Sequence, residues 1–426
     1  MSFSFLYADI PDSALEDILK EFPAESHVHI QRHIVAVMKL SQGASNNAKT
    51  AGTRLTRRLH YYQWVKNMGL DDDMYLEHCT QRRRNWQFGL YTAHLCSGGT
   101  IQLQAIRSTT VDRYLHDAAV FIKLTTKIDP RFNLDGKTMA DPIKDVLTEY
   151  KRWEKVPDRR EPWTVEMQQA FDAANASIAN DDHKEDTIEL ALADWTALGL
   201  ATGIRRSEWA QPDTKHSDVN NPEVKEGRGL ICAFLPEDWE FFDNKGGKIR
   251  GLQEAVDAGI DNVARLRIGW RVQKNGDNGQ HKMYTRNDRT PTLCTVHRGL
   301  RIVARYIRNV GLNSPNIPLA VYRDTQLGLR LINSKQIETN MREVAIAVLK
   351  LDPVKDAAGI KKFSAHSLRV GACQALYARG FSAYEIKHLL RWRSDAFMQY
   401  LRDIAWVARR QANALSDLAE AEEPFL

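Results

Sequence analysis

Cysteine is scarce in this sequence, and no two cysteines form a C-x-x-C pair. The cysteines are odd in number and scattered along the chain: Cys79, Cys96, Cys232, Cys294 and Cys373. This pattern excludes a disulfide framework and a cysteine zinc site, and it predicts reduced thiols in an intracellular protein. Long apolar runs are missing as well, so no stretch reaches the length of a membrane span. No basic region precedes the apolar residues of positions 1–11, so a secretory signal is not expected.

Charge of one sign is not in large excess either. The 59 Lys and Arg residues face 54 Asp and Glu residues, a net charge of only +5, which by itself does not indicate nucleic acid. The distribution is more informative, because residues 265–308 contain eleven Lys or Arg and only two acids, Asp277 and Asp288. Such a stretch is either a surface for a phosphate backbone or a solvated cationic face.

With 426 residues, the chain is long enough for two domains. Residues 1–155 carry apolar residues at helical spacing with almost no strand signal, which predicts a helical N-terminal domain. Residues 156–163 are charged and proline-containing, as is typical of a linker. Residues 164–403 show a mixed α and β pattern, and residues 404–426 continue as a tail with apolar residues at helical spacing.

The expected fold is therefore mainly α with a small antiparallel β-sheet. The predicted strands are Asp238–Phe242, Ala264–Val272 and Lys282–Tyr284, with strong turn residues between the last two. The predicted helices of the second domain follow a cap at Thr164 and later cover His297–Asn309, Ser334–Leu351, Arg369–Arg379, Ser382–Leu389 and Ser394–Arg402.

The segment T-G-I-R-R-S-E at residues 202–208 follows an apolar helix predicted over Thr187–Leu200. Gly203 therefore lies where a helix ends, and the turn projects Arg205, with Glu208 one helical turn further on. An arginine held in this way can form paired charge-assisted hydrogen bonds with a phosphate, which lysine cannot match. By itself the motif is weak, since most matches are turns that carry a surface arginine.

His366 and Arg369 stand three apart in an H-x-x-R motif, on one face of a helix if Ser364 is its cap. An imidazole beside a guanidinium suits a site that binds an anion and manages a proton. A structural histidine beside a surface arginine is the commoner outcome of this pattern. Trp392 and Tyr400 follow in the same order along the chain.

Taken in order, these residues resemble the motifs of the tyrosine recombinase (phage integrase) family. The family pattern is T-G-x-R-x-x-E, a lysine on a β-hairpin, H-x-x-R, a His or Trp, and a Tyr. The matching residues are Arg205, Glu208, His366, Arg369, Trp392 and Tyr400. The ordered matches cover nearly the whole second domain and are far more specific together than any one of them.

The resemblance implies an enzyme that cleaves and rejoins DNA site-specifically through a 3′-phosphotyrosine. The implied roles are nucleophile for Tyr400, phosphate clamp for Arg205 and Arg369, proton or hydrogen-bond acceptor for His366, packing residue and indole donor for Trp392, and orienting carboxylate for Glu208. Because the phosphotyrosine keeps the bond energy, joining needs no nucleotide cofactor, and no metal is needed.

The hairpin lysine is assigned less directly, because an insertion within Pro212–Asp261 lengthens the interval after Arg205. Lys274 is the better candidate for the proton donor, since it follows the strand Ala264–Val272 at the turn, and Lys282 across the hairpin is the alternative.

Two further departures from the family pattern concern the end of the domain. Arg391 replaces a glycine that is common before Trp392. The interval from Trp392 to Tyr400 is 8 residues, one fewer than in many phage and bacterial members. The shorter form is similar to divergent and eukaryotic mobile-element members.

Residues 1–155 resemble the family's core DNA-binding domain only in size, position and helix content. The residues considered for contact with DNA phosphates, each with a solvated face as the alternative, are Arg54, Arg57, Arg58, Arg82, Arg83, Arg84, Arg271 and Lys282.

The resemblance also implies double-stranded DNA as partner and four protomers on two DNA sites. The tail over 404–426 is expected to dock on a neighbouring subunit or to fold back on its own domain. The expected location is the cytoplasm of a prokaryote or the nucleus of a eukaryote. Two other functions stay open: a DNA-binding protein derived from such an enzyme and no longer catalytic, and a DNA-relaxing enzyme like the type IB topoisomerases.

Overall fold

The computed structural model describes residues 48–70, 73, 76–101, 103–154, 159–179, 186–225, 233–273 and 277–401. The chain divides into two units, residues 1–157 and 158–426. Several parts of the sequence analysis lie outside the described residues: positions 1–47 of the predicted helical domain, Cys232, Lys274 and the tail over 404–426.

The described part of the first unit is helical, with its helices at Ala48–Asn67 (α1), Gln81–Cys96 (α2), Ser108–Thr126 (α3) and Asp141–Trp153 (α4). Thr80 caps α2, because its side chain accepts a hydrogen bond from the backbone N–H of Arg83. The helices pack around a core rich in aromatic residues, in which the rings of Tyr61 and Tyr91 meet edge to face at 5.0 Å.

The second unit contains the remaining helices: Val165–Ala174 (α5), Ala176–Ala179 (α6), Ile188–Thr202 (α7), Pro222–Lys225 (α8), Leu252–Asn262 (α9), Thr295–Asn309 (α10), Ser334–Leu349 (α11), Ala357–Ile360 (α12), His366–Ala378 (α13) and Ala383–Leu390 (α14). The side chain of Thr164 caps α5, as predicted. A 3₁₀ helix over Asp395–Tyr400 ends the described part of the unit.

Strands β1 (Trp239–Asp243), β2 (Val263–Trp270) and β3 (Gln280–Thr285) form an antiparallel sheet in the order β1-β2-β3. The residues of β2 from Arg265 to Ile268 pair on both sides; Ile268, for example, pairs with Trp239 of β1 and Lys282 of β3. A second hairpin joins β4 (Val321–Asp324) to β5 (Gly328–Leu331). The prediction of a mainly α fold with a small antiparallel sheet is confirmed.

Several local predictions were incomplete or wrong. The β4–β5 hairpin was not predicted, because strands of four residues are too short to show a clear alternation. Ser364 does not cap α13; that helix begins at His366, and the N–H of Ser364 donates to the Oγ of Ser367 instead. The helix predicted over Ser394–Arg402 is a shorter 3₁₀ helix.

Helix α7 passes through the centre of the second unit and is buried on all sides from Leu190 to Leu200. Five tryptophans lie in the core of the described residues that includes α7, and the ring of Trp195 on α7 stacks on that of Trp209, 5.3 Å apart with an angle of 6° between their planes. The chain enters the unit beside α13, where a Cβ on Gly371 would lie 1.9 Å from the carbonyl oxygen of Trp163. Only glycine allows this approach.

One carboxylate lies inside α7 and is fully buried. Asp194 accepts hydrogen bonds from Arg298 at 2.9 Å and Arg305 at 2.6 Å, and the Nε of Arg301 is 3.1 Å away. Burial alone would raise the pKa of Asp194, but the three arginines of α10 hold it below its ordinary value. The ion pairs therefore tie α10 to the central helix.

We predict that Asp194→Asn destabilises the protein by about 3–5 kcal/mol, because it leaves buried guanidinium groups without their counter-charge. The matched control is Asp186→Asn, which removes a solvent-accessible partner of Arg308 at 2.7 Å and should cost less than about 1 kcal/mol. Chemical denaturation at pH 7, followed by tryptophan fluorescence, measures both. Equal losses in the two variants would contradict the structural role of Asp194.

Candidate active site

The first part of the candidate site is the turn after α7. Gly203 ends the helix in the left-handed conformation, with φ 62° and ψ 31°. A Cβ at this position would also lie 2.8 Å from the Cδ2 of Leu390. Glycine therefore meets both requirements, and the sharp turn positions Arg205 as the sequence predicts. The side chain of Arg205 is 22% exposed.

Glu208 is the buried centre of the site. Its carboxylate accepts hydrogen bonds from the backbone N–H of Arg205 at 2.8 Å, from the Nη1 of Arg205 at 2.9 Å and from the Nε1 of Trp270 at 3.2 Å. Burial would raise the pKa of Glu208, but Arg391 and then Arg205 lower it below its ordinary value. Glu208 is therefore an ionised group that fixes neighbouring side chains.

Arg391 is the site residue that sequence reasoning missed. It lies after α14 in the left-handed conformation, with φ 58° and ψ 52°, a region that favours glycine. Its side chain is 0% exposed and donates to both carboxylate oxygens of Glu208, at 3.2 and 3.0 Å. It also donates to the Oε1 of Gln273 at 3.2 Å and lies 3.7 Å from the ring centroid of Trp270. The sequence feature that could have identified this residue is the arginine at a position where the family commonly has glycine.

His366 and Tyr400 form the second part of the site. The Nε2 of His366 and the hydroxyl oxygen of Tyr400 are 2.7 Å apart, and the rings meet nearly edge to face. Packing around the imidazole, followed by the charges of Arg369 and Arg160, lowers the pKa of His366 to about 4. Although the residue as a whole keeps exposed surface, the two cations act in the same direction as packing, so the imidazole is neutral at pH 7. A neutral Nε2 can accept the proton of the Tyr400 hydroxyl.

Arg369 links the two parts. Its guanidinium is buried, donates to the carbonyl oxygens of Gly203 and Leu390, and lies 4.6 Å from the ring centroid of Trp392. Burial, followed by the charge of Arg205, lowers the pKa of Arg369, but an arginine stays protonated at neutral pH. The side chain is therefore a fixed positive charge.

Trp392 packs against the same tyrosine. Its ring meets that of Tyr400 at 5.4 Å, with an angle of 69° between the planes. The indole Nε1 is buried and has no hydrogen-bond acceptor among the residues that the structure describes. A buried donor without an acceptor is unfavourable unless a ligand supplies one.

Lys282 lies on β3, and its Nζ donates to the carbonyl oxygen of His388 at 2.5 Å. Partial burial, followed by the charge of Arg391, lowers the pKa of Lys282. The other candidate lysine, Lys274, lies outside the described residues.

The arginines considered for DNA contact differ in their placement. Arg54 and Arg57 form ion pairs with Asp117, and Arg271 forms one with Asp238. Arg58 and Arg84 are buried and donate to the backbone carbonyls of Asp117 and Leu76, respectively, so their guanidinium groups serve the interior of the unit. Of the two remaining arginines of the first unit, both on α2, Arg82 is exposed and Arg83 is partly exposed.

Within the described ranges, no three or more His, Cys, Asp or Glu side chains are grouped so that they could hold a metal ion. None of the described helices is long and apolar enough to cross a membrane.

We predict that the imidazole of His366 titrates near pH 4 in the DNA-free protein, against an ordinary pKa of 6.5. The unfolded chain takes up this proton at a higher pH than the folded protein does. The free energy of unfolding therefore has its full value, as far as His366 is concerned, above pH 6.5, and it decreases as the pH falls toward 4. Two-dimensional ¹H–¹⁵N spectra of the imidazole nitrogens measure the titration, and His366→Gln assigns the signal. A His366 ring that is half-protonated at pH 6.5 would show that the neighbouring charges do not act as described.

No family model matches this sequence, and no curated protein matches it. Among solved structures, the Tn1549 transposon integrase in complex with transposon right end DNA is similar, with 12% identity over 85% of this chain and 99% of that chain at a TM-score of 0.41. The XerA recombinase is similar with 14% identity over 87% of this chain and 100% of that chain, at a TM-score of 0.33. At these identities and TM-scores, the function of this chain has to be judged from its own side chains.

Proposed function

We propose that this protein is a site-specific DNA recombinase or integrase that cleaves and rejoins DNA through a 3′-phosphotyrosine intermediate. The observation that carries the proposal is the Tyr400 hydroxyl, held 2.7 Å from the Nε2 of His366. A phenol with an adjacent neutral base is an activated nucleophile. The charge of Arg369 acts on Tyr400, and Arg205 lies near Arg369, so the two guanidinium groups suit an anionic substrate.

Arg205 and Arg369 are the proposed clamp for the scissile phosphate. The transition state of phosphoryl transfer carries more negative charge on the non-bridging oxygens than the ground state does, so preorganised cations stabilise it selectively. Arg205 is accessible to a ligand, whereas Arg369 is a buried fixed charge. The orphan indole N–H of Trp392 supplies a further donor for the same phosphate.

The proposed step forms the bond between phosphorus and the Tyr400 oxygen and breaks the bond between phosphorus and the 5′ oxygen. The phenol proton passes to His366, and a protonated lysine gives a proton to the leaving 5′ oxygen. Burial raises the pKa of Tyr400, whereas the charge of Arg369 lowers it. Strand joining is the reverse reaction with a new 5′-hydroxyl, and it requires no external energy source.

Each unit has a proposed role. We assign residues 1–155 to a core DNA-binding domain, residues 156–163 to a linker and residues 164–403 to the catalytic domain. Exchange of strands between two double-stranded DNA sites would require four copies of Tyr400, so the proposed assembly is a homotetramer on two sites. The exposed Arg82 on α2 is the first of the N-terminal arginines to test for phosphate contact.

We predict that Tyr400→Phe keeps DNA binding and abolishes covalent attachment to DNA, because only the nucleophilic oxygen is lost. The measurement is trapping of the protein on a nicked suicide substrate, whose cleaved fragment diffuses away. Tyr384→Phe is the matched control, since Tyr384 is 79% exposed on α14 and should form the wild-type amount of adduct.

Adducts that persist in Tyr400→Phe would reject this nucleophile. A wild-type protein that binds DNA without forming an adduct would favour the derived, non-catalytic DNA-binding protein. Cleavage at any sequence by single protomers would favour a relaxing enzyme.

The two candidate lysines predict different outcomes with a substrate whose leaving 5′ oxygen is replaced by sulfur, since a thiolate leaves without a proton. We expect Lys274→Ala to slow cleavage of ordinary DNA and to recover on the sulfur substrate, whereas Lys282→Ala lowers mainly DNA affinity. Cleavage rates and binding constants of both variants on both substrates measure this. Recovery of Lys282→Ala instead would assign the proton donor to Lys282, whose pKa is already lowered.

A further inference from the structure

Arg391 contacts Glu208, the carboxylate that also binds Arg205 of the proposed phosphate clamp. We infer that it keeps the positive charge of Arg205 available to the scissile phosphate by sharing the carboxylate of Glu208. This inference rests on the proposed function, and it concerns a residue that touches neither Tyr400 nor His366 through any contact that the structure describes.

The first support is the local balance of charge. Arg205 and Arg391 both contact the Glu208 carboxylate, at 2.9 Å and at 3.0–3.2 Å. Two guanidinium groups around one carboxylate leave one unit of positive charge. Without Arg391, Arg205 would be the cation left in described ion-pair contact with the buried carboxylate, and that pair would be neutral. A neutral pair attracts an anionic phosphate much less than a net cation does.

The second support is the geometry of the contacts. Arg391 approaches Glu208 from a segment 183 residues away and also donates to Gln273, just after β2. Its guanidinium lies 3.7 Å from the ring centroid of Trp270, whose indole N–H donates to the same carboxylate. Glu208 is thus held on several sides and cannot turn toward Arg205 alone. Its orientation fixes that of the Arg205 side chain.

The third support is the backbone. Arg391 adopts a left-handed conformation that is strained for any residue with a Cβ. Glycine would adopt this conformation freely, whereas the arginine occupies the position in spite of the strain. The buried contacts of its side chain are the described interactions that offset the strain.

The left-handed backbone at Arg391 makes glycine a suitable substitution for testing the role of the side chain. Arg391→Gly removes the guanidinium and relieves the backbone strain. The matched control is Lys350→Gly, because Lys350 ends α11 in the same conformation, with φ 54° and ψ 43°, but its side chain is exposed. Any effect of the glycine itself is common to both variants, and thermal melting of both shows whether they are folded.

Two suicide substrates separate the electrostatic effect from a general loss of structure. One carries the ordinary phosphodiester, and the other carries an uncharged methylphosphonate at the scissile position. We expect Arg391→Gly to slow formation of the Tyr400 adduct by about tenfold to a hundredfold on the phosphodiester, since a fully lost oxyanion donor costs about a hundredfold or more. On the methylphosphonate its rate should equal that of the wild type, and DNA affinity should change little on either substrate.

A compensating change in Glu208 provides the second test. Glu208→Gln removes the negative charge, so the double variant Glu208→Gln with Arg391→Gly again carries one unit of positive charge on Arg205. We expect the double variant to form the adduct faster than Arg391→Gly alone. A residue that only supported packing would make the double variant slower than either single one.

Several results would overturn the inference while leaving the proposed function intact. They are an Arg391→Gly rate equal to that of Lys350→Gly, an equal loss on both substrates, or a double variant slower than Arg391→Gly. Recovery of Arg391→Gly on the sulfur-leaving substrate would also overturn it, because it would place the effect on the hairpin lysine. If the wild-type protein forms no adduct, the proposed function itself fails.

Discussion

The carboxylate of Glu208 is the contact on which the arrangement of the candidate site depends. A buried carboxylate is stable only with cations or several donors around it, and here those come from Arg205, Arg391 and Trp270. These side chains belong to the turn after α7, the end of α14 and the end of β2. The need to satisfy one charge therefore brings three separate segments together.

Asp194 shows the same physical constraint with a different consequence. Its arginine partners come from a single helix, α10, so the ion pairs fix that helix against α7. Arg298 and Arg305 are buried in these contacts, and Arg298 also forms an ion pair with Asp172, whereas Arg301 keeps exposed surface. At Glu208, the partner Arg205 keeps exposed surface. An arginine that is buried together with its carboxylate serves the fold, whereas an arginine that keeps exposed surface, as Arg205 does, can also contact a ligand.

Sequence reasoning predicted the parts of the site that depend on local signals. Gly203 ends α7 in a left-handed turn, and the predicted spacing of His366 and Arg369 places them on one helix. The contact of Arg391 with Glu208 joins residues 183 apart, and no periodicity or turn signal relates such positions. The sequence shows that Arg391 replaces the family's glycine, but only the structure shows that its side chain binds Glu208. The short β4 and β5 strands were missed for the related reason that their pairing, rather than their composition, defines them.

The cation cluster also bears on when His366 can act as a base. Burial raises the pKa of Tyr400 above its ordinary value, although the charge of Arg369 offsets part of the rise, and burial together with Arg369 lowers the pKa of His366. In the protein alone these effects oppose transfer of the proton to the imidazole. An anionic phosphate bound at Arg205 and Arg369 would offset part of the positive charge and raise the pKa of His366. Under the proposed function, bound DNA therefore makes His366 a stronger proton acceptor than it is in the protein alone, where Tyr400 stays protonated.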